Sequence, residues 1–157
     1  GTHPGQFDRL IRKIDEIAPK IKEEIVIQRG FTQYKPKNVE YFEFTDSLVP
    51  YFKEARLVIS HSATSIMEFV LNNKKPLITV PRQAKFGEHI NDHQVEFAEA
   101  LNKKTDILAI YNISDLTPEL LKGHKQLPKI KRDNLQKLQN YFKQAFQIIS
   151  NEKQRRR

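Results

Sequence analysis

The stretch from Leu57 to Pro81 constrains the fold of this chain most strongly, because it carries the pattern of a complete strand–helix–strand unit. Its two short apolar runs, Leu57–Ile59 and Leu77–Val80, are typical of strands that are buried on both faces. Between them, Ser65 and Glu68 have the Ser-x-x-Glu spacing of a capping box, which predicts that a helix begins there. The stretch therefore predicts two parallel strands joined by a helix through a right-handed crossover.

The rest of the chain continues this alternation of strands and helices. Five strands that alternate with helices indicate an α/β fold with a parallel, doubly wound sheet. At 157 residues the chain is predicted to form one domain, residues 1–150, followed by a basic tail, residues 151–157. The further predicted elements are strands at Ile25–Gln28, Tyr41–Phe44 and Ile107–Ile110, amphipathic helices between the strands, and a long helix from Asp133 or Asn134.

A loop of six small or polar residues, Ser60–Ser65, follows the first strand of the opening unit and leads into its helix. Ligands of open parallel sheets bind beyond the carboxyl ends of the strands. A helix N-terminus there offers free backbone N–H groups and a partial positive charge, which favour a phosphate or diphosphate. The alternative, that Ser60, Thr64 and Ser65 only cap the helix, stays open on this pattern alone.

Other kinds of chemistry have weaker support in the residues. His89 and His93 are four apart, but the pair straddles a predicted boundary between loop and helix and has no HExxH context, so no metal site is predicted. The chain has no Cys and no G-x-S-x-G motif, so neither thiolate chemistry nor a serine-hydrolase elbow is expected. There is no apolar run of 18 residues.

The positive charge of the chain is concentrated near its C-terminus. Residues 122–157 carry eleven Lys or Arg and two Asp or Glu, a net charge of +9, whereas residues 1–121 carry sixteen and seventeen, a net charge of −1. Such a segment can contact an anionic membrane surface, an acidic partner or nucleic acid, or form a solvated helix. Nucleic acid is not the expected partner, because the neutral remainder shows no base-reading motif.

Four stretches together resemble the C-terminal, donor-binding domain of glycosyltransferase family 28. They are GTHPGQFDRLI, QRG, VISHSATSIMEF and, most specifically, PRQAKFGEHINDHQVEFAEAL, and the resemblance covers residues 1–102. Within the family the chain is similar to the stand-alone catalytic subunits of two-component UDP-N-acetylglucosamine transferases, both the dolichyl-diphosphate chitobiose-forming type and its bacterial exopolysaccharide homologues. The resemblance implies a Rossmann-like parallel sheet with helices on both faces, the C-terminal half of a GT-B glycosyltransferase.

The resemblance also implies which residues hold a UDP-sugar donor. Thr2 and His3 would lie beside the diphosphate, and Gly5 would allow its close approach. Thr45 would lie near the uracil, and Glu68 would bind the ribose hydroxyls. The backbone N–H groups that face the diphosphate would be those of Ser62, Ala63, Thr64 and Ser65, and the residues that face the sugar hydroxyls would be Asp92, His93 and Gln94.

The function implied is that of a subunit of an inverting glycosyltransferase. It would move a sugar, expected to be GlcNAc, from a UDP-sugar to a lipid-linked saccharide at the cytoplasmic face of a membrane. A membrane-anchored partner would bind the acceptor and supply the general base, with His3 as a secondary candidate, so the chain alone would be inactive. No cofactor is expected. The alternative is a nucleotide-sugar-binding module without catalysis.

The chain departs from the family pattern in two places. The family has a glycine-containing segment after the Ser-His pair, whereas Ser62–Thr64 contains no glycine and is one residue shorter. The family's first strand is not in this sequence, which starts at the family's first loop. A central strand should not be dispensable, so the chain is expected to be a truncated or incompletely represented product.

Overall fold

The computed structural model describes residues 5–62, 70 and 73–127, and strands and helices alternate through them. The predicted C-terminal helix, the basic tail and, apart from Val70, the helix expected from Ser65 lie outside the described residues. Short 3-10 helices at Ala18–Lys20, Ala84–Phe86 and Ile113–Asp115 connect the main elements. These are α1 (Asp8–Ile17), β1 (Val26–Gln28), β2 (Glu40–Phe42), α2 (Val49–Glu54), β3 (Val58–Ser60), β4 (Leu77–Thr79), α3 (His93–Lys104), β5 (Leu108–Ala109) and α4 (Pro118–Gly123).

All five predicted strands form, and every strand pair is parallel, which confirms the Rossmann-like α/β class. Four of the five strands are shorter than predicted, and β3 is shifted by one residue to include Ser60, which the sequence predicts to be loop. The expectation of one sheet is wrong for the described residues: β1 pairs with β2, while β3, β4 and β5 form a separate three-stranded sheet with β4 in the middle.

Helices cover both faces of the three-stranded sheet, as the doubly wound pattern predicts. Successive strand residues point to opposite faces, so Ile78 and Leu77 belong to different cores. On one face, α1 packs Ile14 and Ile17 into the cluster that contains Ile78. On the other face, α3 packs Phe97, with Leu101, into the cluster that contains Leu77.

A cavity of 590 Å³ lies between the two sheets. It is bounded by β1 and β3 at its sides and by α1 and α2 as further walls, and its lining is mostly apolar. Within the described residues, no ladder of hydrogen bonds joins β1 to β3. We call this space the inter-sheet cavity. It lies where the single predicted sheet is interrupted.

The described ranges contain no helix that is both long and apolar enough to cross a lipid bilayer.

Candidate functional site

The loop after β3 begins with a residue in an uncommon backbone conformation. Ser62 is buried and has a φ of 65°, in the left-handed region that glycine adopts most easily. Its hydroxyl shares a hydrogen bond with the hydroxyl of Thr79 on β4, and Thr79 Oγ1 also donates to the carbonyl of Ser60 at 3.3 Å. The first turn of this loop is therefore tied to the neighbouring strand, and the glycine-free sequence places a serine in a strained conformation.

A second loop, residues 81–94, leaves the end of β4 and is held from inside by a buried carboxylate. Glu88 is 5% exposed and accepts hydrogen bonds from Nε and Nη2 of Arg9, at 2.8 and 3.0 Å, and from the backbone N–H of Gln83 at 3.0 Å. Arg9 Nη2 also donates to the carbonyl of Pro81 at 3.0 Å. These bonds fasten the loop to the first turn of α1.

The predicted sugar-facing residues lie where this loop enters α3. Asp92 is exposed, and its Oδ1 accepts the backbone N–H of Ala84 at 2.7 Å. Gln94 is 8% exposed, and its Oε1 accepts the backbone N–H of Arg82 at 3.1 Å. One oxygen of each side chain therefore helps to hold the backbone of the loop in its conformation.

The rings of the two loop histidines are in contact with each other. The ring centroids of His89 and His93 are 4.4 Å apart in an edge-to-face arrangement, and His93 Nδ1 pairs with Asn91 Oδ1. Across the part of the chain that the structure describes, no group of three or more His, Asp or Glu side chains is arranged to hold a metal ion.

Of the other predicted site residues, the structure describes Thr45 and Gly5. Thr45 is exposed beyond the end of β2, on the two-stranded sheet, and its Oγ1 donates to the carbonyl of Ser47 at 3.3 Å. Gly5 precedes α1 and is half-buried. The structure thus places Ser62, Asp92, His93 and Gln94 in the two loops that leave the three-stranded sheet. The predicted residues outside the described ranges are Thr2, His3, Ala63, Thr64, Ser65 and Glu68.

Sequence reasoning did not identify Arg82, a buried cation at this edge. Arg82 is 7% exposed and its Cζ lies 5.4 Å from the centre of the Phe7 ring. Burial lowers the pKa of its guanidinium, and the negative charge of Glu88 opposes that effect. One signal was present in the sequence: a charged residue follows directly after the strand residues Leu77–Val80 and Pro81, at the edge where ligands bind.

Comparisons with known proteins agree with this arrangement. Residues 5–152 match the family model of the glycosyltransferase family 28 C-terminal domain. The UDP-N-acetylglucosamine transferase subunit ALG13 of Yarrowia lipolytica is 35% identical over 68 residues, which are 43% of this chain and 32% of that protein. The match therefore spans about a third of the length of this curated relative. No solved structure matches the chain.

Proposed function

The chain belongs to the family of glycosyltransferase family 28 C-terminal domains, and from this premise we propose that it is the donor-binding subunit of an inverting glycosyltransferase. The donor is a UDP-sugar. The name of the Yarrowia lipolytica relative, a UDP-N-acetylglucosamine transferase subunit, supports UDP-GlcNAc as that donor. The acceptor is a lipid-linked saccharide.

The observation that carries this proposal is that two polypeptide segments leave the carboxyl edge of the three-stranded sheet and are each tied to a neighbouring element where the structure describes them. Ser62 fixes the start of one loop against β4, and Glu88 fixes the other against α1. Anchoring of this kind reduces the entropy that a binding site loses when the ligand binds. In the proposed reaction, backbone N–H groups of the loop after β3 stabilise the negative charge that develops on the departing UDP.

The proposed sugar-binding roles follow from what each side chain has left to offer. Asp92 retains an exposed carboxylate oxygen, and His93 is exposed at the first turn of α3. Gln94 has its carbonyl oxygen engaged by Arg82, so it offers the sugar only its amide N–H groups. Thr2, His3 and Gly5 remain proposed diphosphate contacts, Thr45 a uracil contact and Glu68 a ribose contact.

The proposal includes a partner, because one Rossmann-like domain supplies only one wall of a GT-B cleft. A membrane-anchored acceptor-binding subunit would supply the second wall and the general base, and would hold this chain at the cytoplasmic face of the membrane. The chain alone is therefore proposed to bind donor and to transfer little or no sugar. The basic segment, residues 122–157, would favour such a position beside anionic lipid.

Calorimetric titration with UDP, UDP-GlcNAc and uridine tests the donor function. We expect millimolar or tighter binding of both nucleotide diphosphates, weakened about tenfold or more by Glu68→Ala, because a carboxylate that binds two ribose hydroxyls makes charge-assisted hydrogen bonds. Glu16→Ala is the matched control, since Glu16 is exposed on α1 and its ion pair in the described part of the chain is with Lys13, at 3.3 Å. Equal weakening by both substitutions, or no binding of UDP at all, would count against the proposal.

A second candidate function is a nucleotide-sugar-binding module without catalysis. The left-handed Ser62 favours it, because a glycine-free loop can hold the diphosphate in a geometry that does not support transfer. Co-expression with an acceptor-binding subunit of the family separates the two. Transfer of radiolabelled GlcNAc to membrane lipid supports the enzyme, and donor binding without transfer supports the module.

A further inference from the structure

Arg82 and Arg9 both pack against the ring of Phe7, but their guanidinium groups differ in how many of their donors form hydrogen bonds. The Cζ atoms of Arg9 and Arg82 lie 5.5 and 5.4 Å from the centre of the Phe7 ring. Arg9 makes three hydrogen bonds through Nε and Nη2, and its Nη1 is buried without a partner in the described residues. Within the described residues, neither Nε nor Nη1 of Arg82 has a hydrogen-bond partner, although both atoms are buried.

The charges around Arg82 are not balanced. Glu88 is the carboxylate that acts on Arg82, but its two oxygens already accept hydrogen bonds from Arg9 and from the backbone of Gln83. The guanidinium groups of buried Arg82 and half-buried Arg9 therefore share one carboxylate. The cluster therefore has an excess positive charge and unused hydrogen-bond donors, and one more anion would neutralise the charge and accept hydrogen bonds from the donors.

Arg82, which carries the unused donors, borders the inter-sheet cavity. The cavity lining also includes Phe7, Ser60 and His61. Ser60 Oγ is also buried and has no hydrogen-bond partner in the described part of the chain. Arg82 follows β4 and Ser60 ends β3, so both polar groups lie at the carboxyl edge, beside the start of the loop at Ser62.

Burying a cation that has donors without hydrogen-bond partners is unfavourable, and a protein retains such a group mainly where it has a task. Packing on Phe7 does not explain Arg82, because Arg9 already provides that ring with a cation. A diphosphate would supply the negative charge that the cluster lacks. It would also supply several oxygens that accept hydrogen bonds from the guanidinium of Arg82 and the hydroxyl of Ser60.

We propose that Arg82 is a diphosphate-binding residue, whose Nε and Nη1 donate to phosphoryl oxygens of a ligand seated at the carboxyl edge beside Ser60. The inference rests on the proposed function. The diphosphate can come from the UDP-sugar donor or from the lipid carrier of the acceptor, and both present the same group to Arg82.

Arg82→Met tests this, because methionine keeps much of the volume and removes the donors. Arg82→Lys keeps the charge without the planar group, and Arg12→Met is the matched control, since Arg12 is exposed on α1. Calorimetry measures binding of UDP, uridine, inorganic pyrophosphate and geranyl diphosphate, and thermal unfolding measures stability. We expect Arg82→Met to keep or raise the midpoint, because it removes a buried charge that has two donors without hydrogen-bond partners. It should weaken diphosphate binding about 10- to 100-fold and leave uridine binding unchanged.

The ligands distinguish the two sources and the two proposals. Loss confined to UDP assigns Arg82 to the donor, and loss confined to geranyl diphosphate assigns it to the lipid carrier. If wild-type protein does not bind UDP but binds geranyl diphosphate through Arg82, the donor function fails and the inference stands. If all variants bind every diphosphate alike, if wild-type protein binds none, or if Arg82→Met lowers the unfolding midpoint and uridine affinity together, the inference is wrong.

Discussion

Asp15 shows how a single buried charge shapes the region next to the site. Its Oδ1 accepts the backbone N–H groups of Lys37 and Asn38 at 2.9 and 2.7 Å, and its Oδ2 accepts the hydroxyl of Tyr34 at 2.5 Å. Burial raises the pKa of Asp15, but these hydrogen bonds outweigh burial and hold the pKa below its ordinary value. The carboxylate therefore fixes the segment between β1 and β2 against α1.

We expect Asp15→Asn to destabilise the fold by about 2 kcal/mol at pH 7, because charge-assisted hydrogen bonds are lost. Since the folded-state pKa lies below the unfolded one, the stabilisation is complete above the unfolded pKa of about 3.9 and is lost as the pH falls through the folded pKa. Urea unfolding at pH 7, 5 and 3 should show the gap between wild type and variant closing only below about pH 4. A gap that stays constant with pH would contradict this assignment, and Asp106→Asn, at an exposed position, is the control.

At the scale of elements, the attachment of residues 81–94 to α1 depends on Glu88. Glu88→Gln would leave buried Arg82 and half-buried Arg9 without a carboxylate, which we expect to cost about 3–5 kcal/mol. The loop would lose its connection to α1, so donor binding should weaken as well. Glu16→Gln removes an exposed pair and should cost less than about 1 kcal/mol. Chemical unfolding and calorimetry of both variants test the point, and equal effects would show that the loop is held in another way.

The elements themselves were predictable, because strand and helix periodicities are local. Apolar runs identified all five strands, and the polar stretches that follow them identified the loops. The pairing of Arg9 with Glu88 was not predictable, since these residues are 79 positions apart and no local pattern marks the contact. Likewise, the left-handed φ of Ser62 was not predictable, because a serine in a sequence does not indicate this backbone conformation.

At the scale of the whole molecule, the inter-sheet cavity is bounded in the way that a gap for one additional strand would be. Val58 donates to the carbonyl of Pro76 and Ser60 accepts from Val80. Because alternate residues of a parallel strand bond to opposite sides, the backbone of Ile59 is directed away from β4, toward the cavity. A strand residue fills about 160 Å³ at ordinary spacing. The 590 Å³ cavity corresponds to about four such residues.

The position at which α1 begins is compatible with a strand in the inter-sheet cavity. The ring centroid of Phe7 lies 6.4 Å from that of His61, just beyond the end of β3, so a parallel strand in the cavity would end where α1 begins. The resemblance to family 28 implies such a strand before the first loop. We therefore expect that adding Val-Ile-Val-Thr-Val before Gly1 raises the thermal unfolding midpoint by about 4 °C or more.

The control for that extension carries Val-Pro-Val-Pro-Val, because proline cannot donate to either neighbouring strand. Hydrogen exchange should slow at the amide of Ile59 with the first extension and not with the second. Equal midpoints for the two extended chains would show that the cavity does not accept a strand.

The same cavity determines how the chain responds to compression. Unfolding removes internal voids and so reduces the volume of the system, and hydrostatic pressure favours whichever state is smaller. The space of 590 Å³ between the two sheets is partly open to solvent, so the part of it that water leaves empty is what makes the fold more sensitive to pressure than a fully packed domain of the same length. A polypeptide segment that fills the space would remove this sensitivity without altering a single surface side chain.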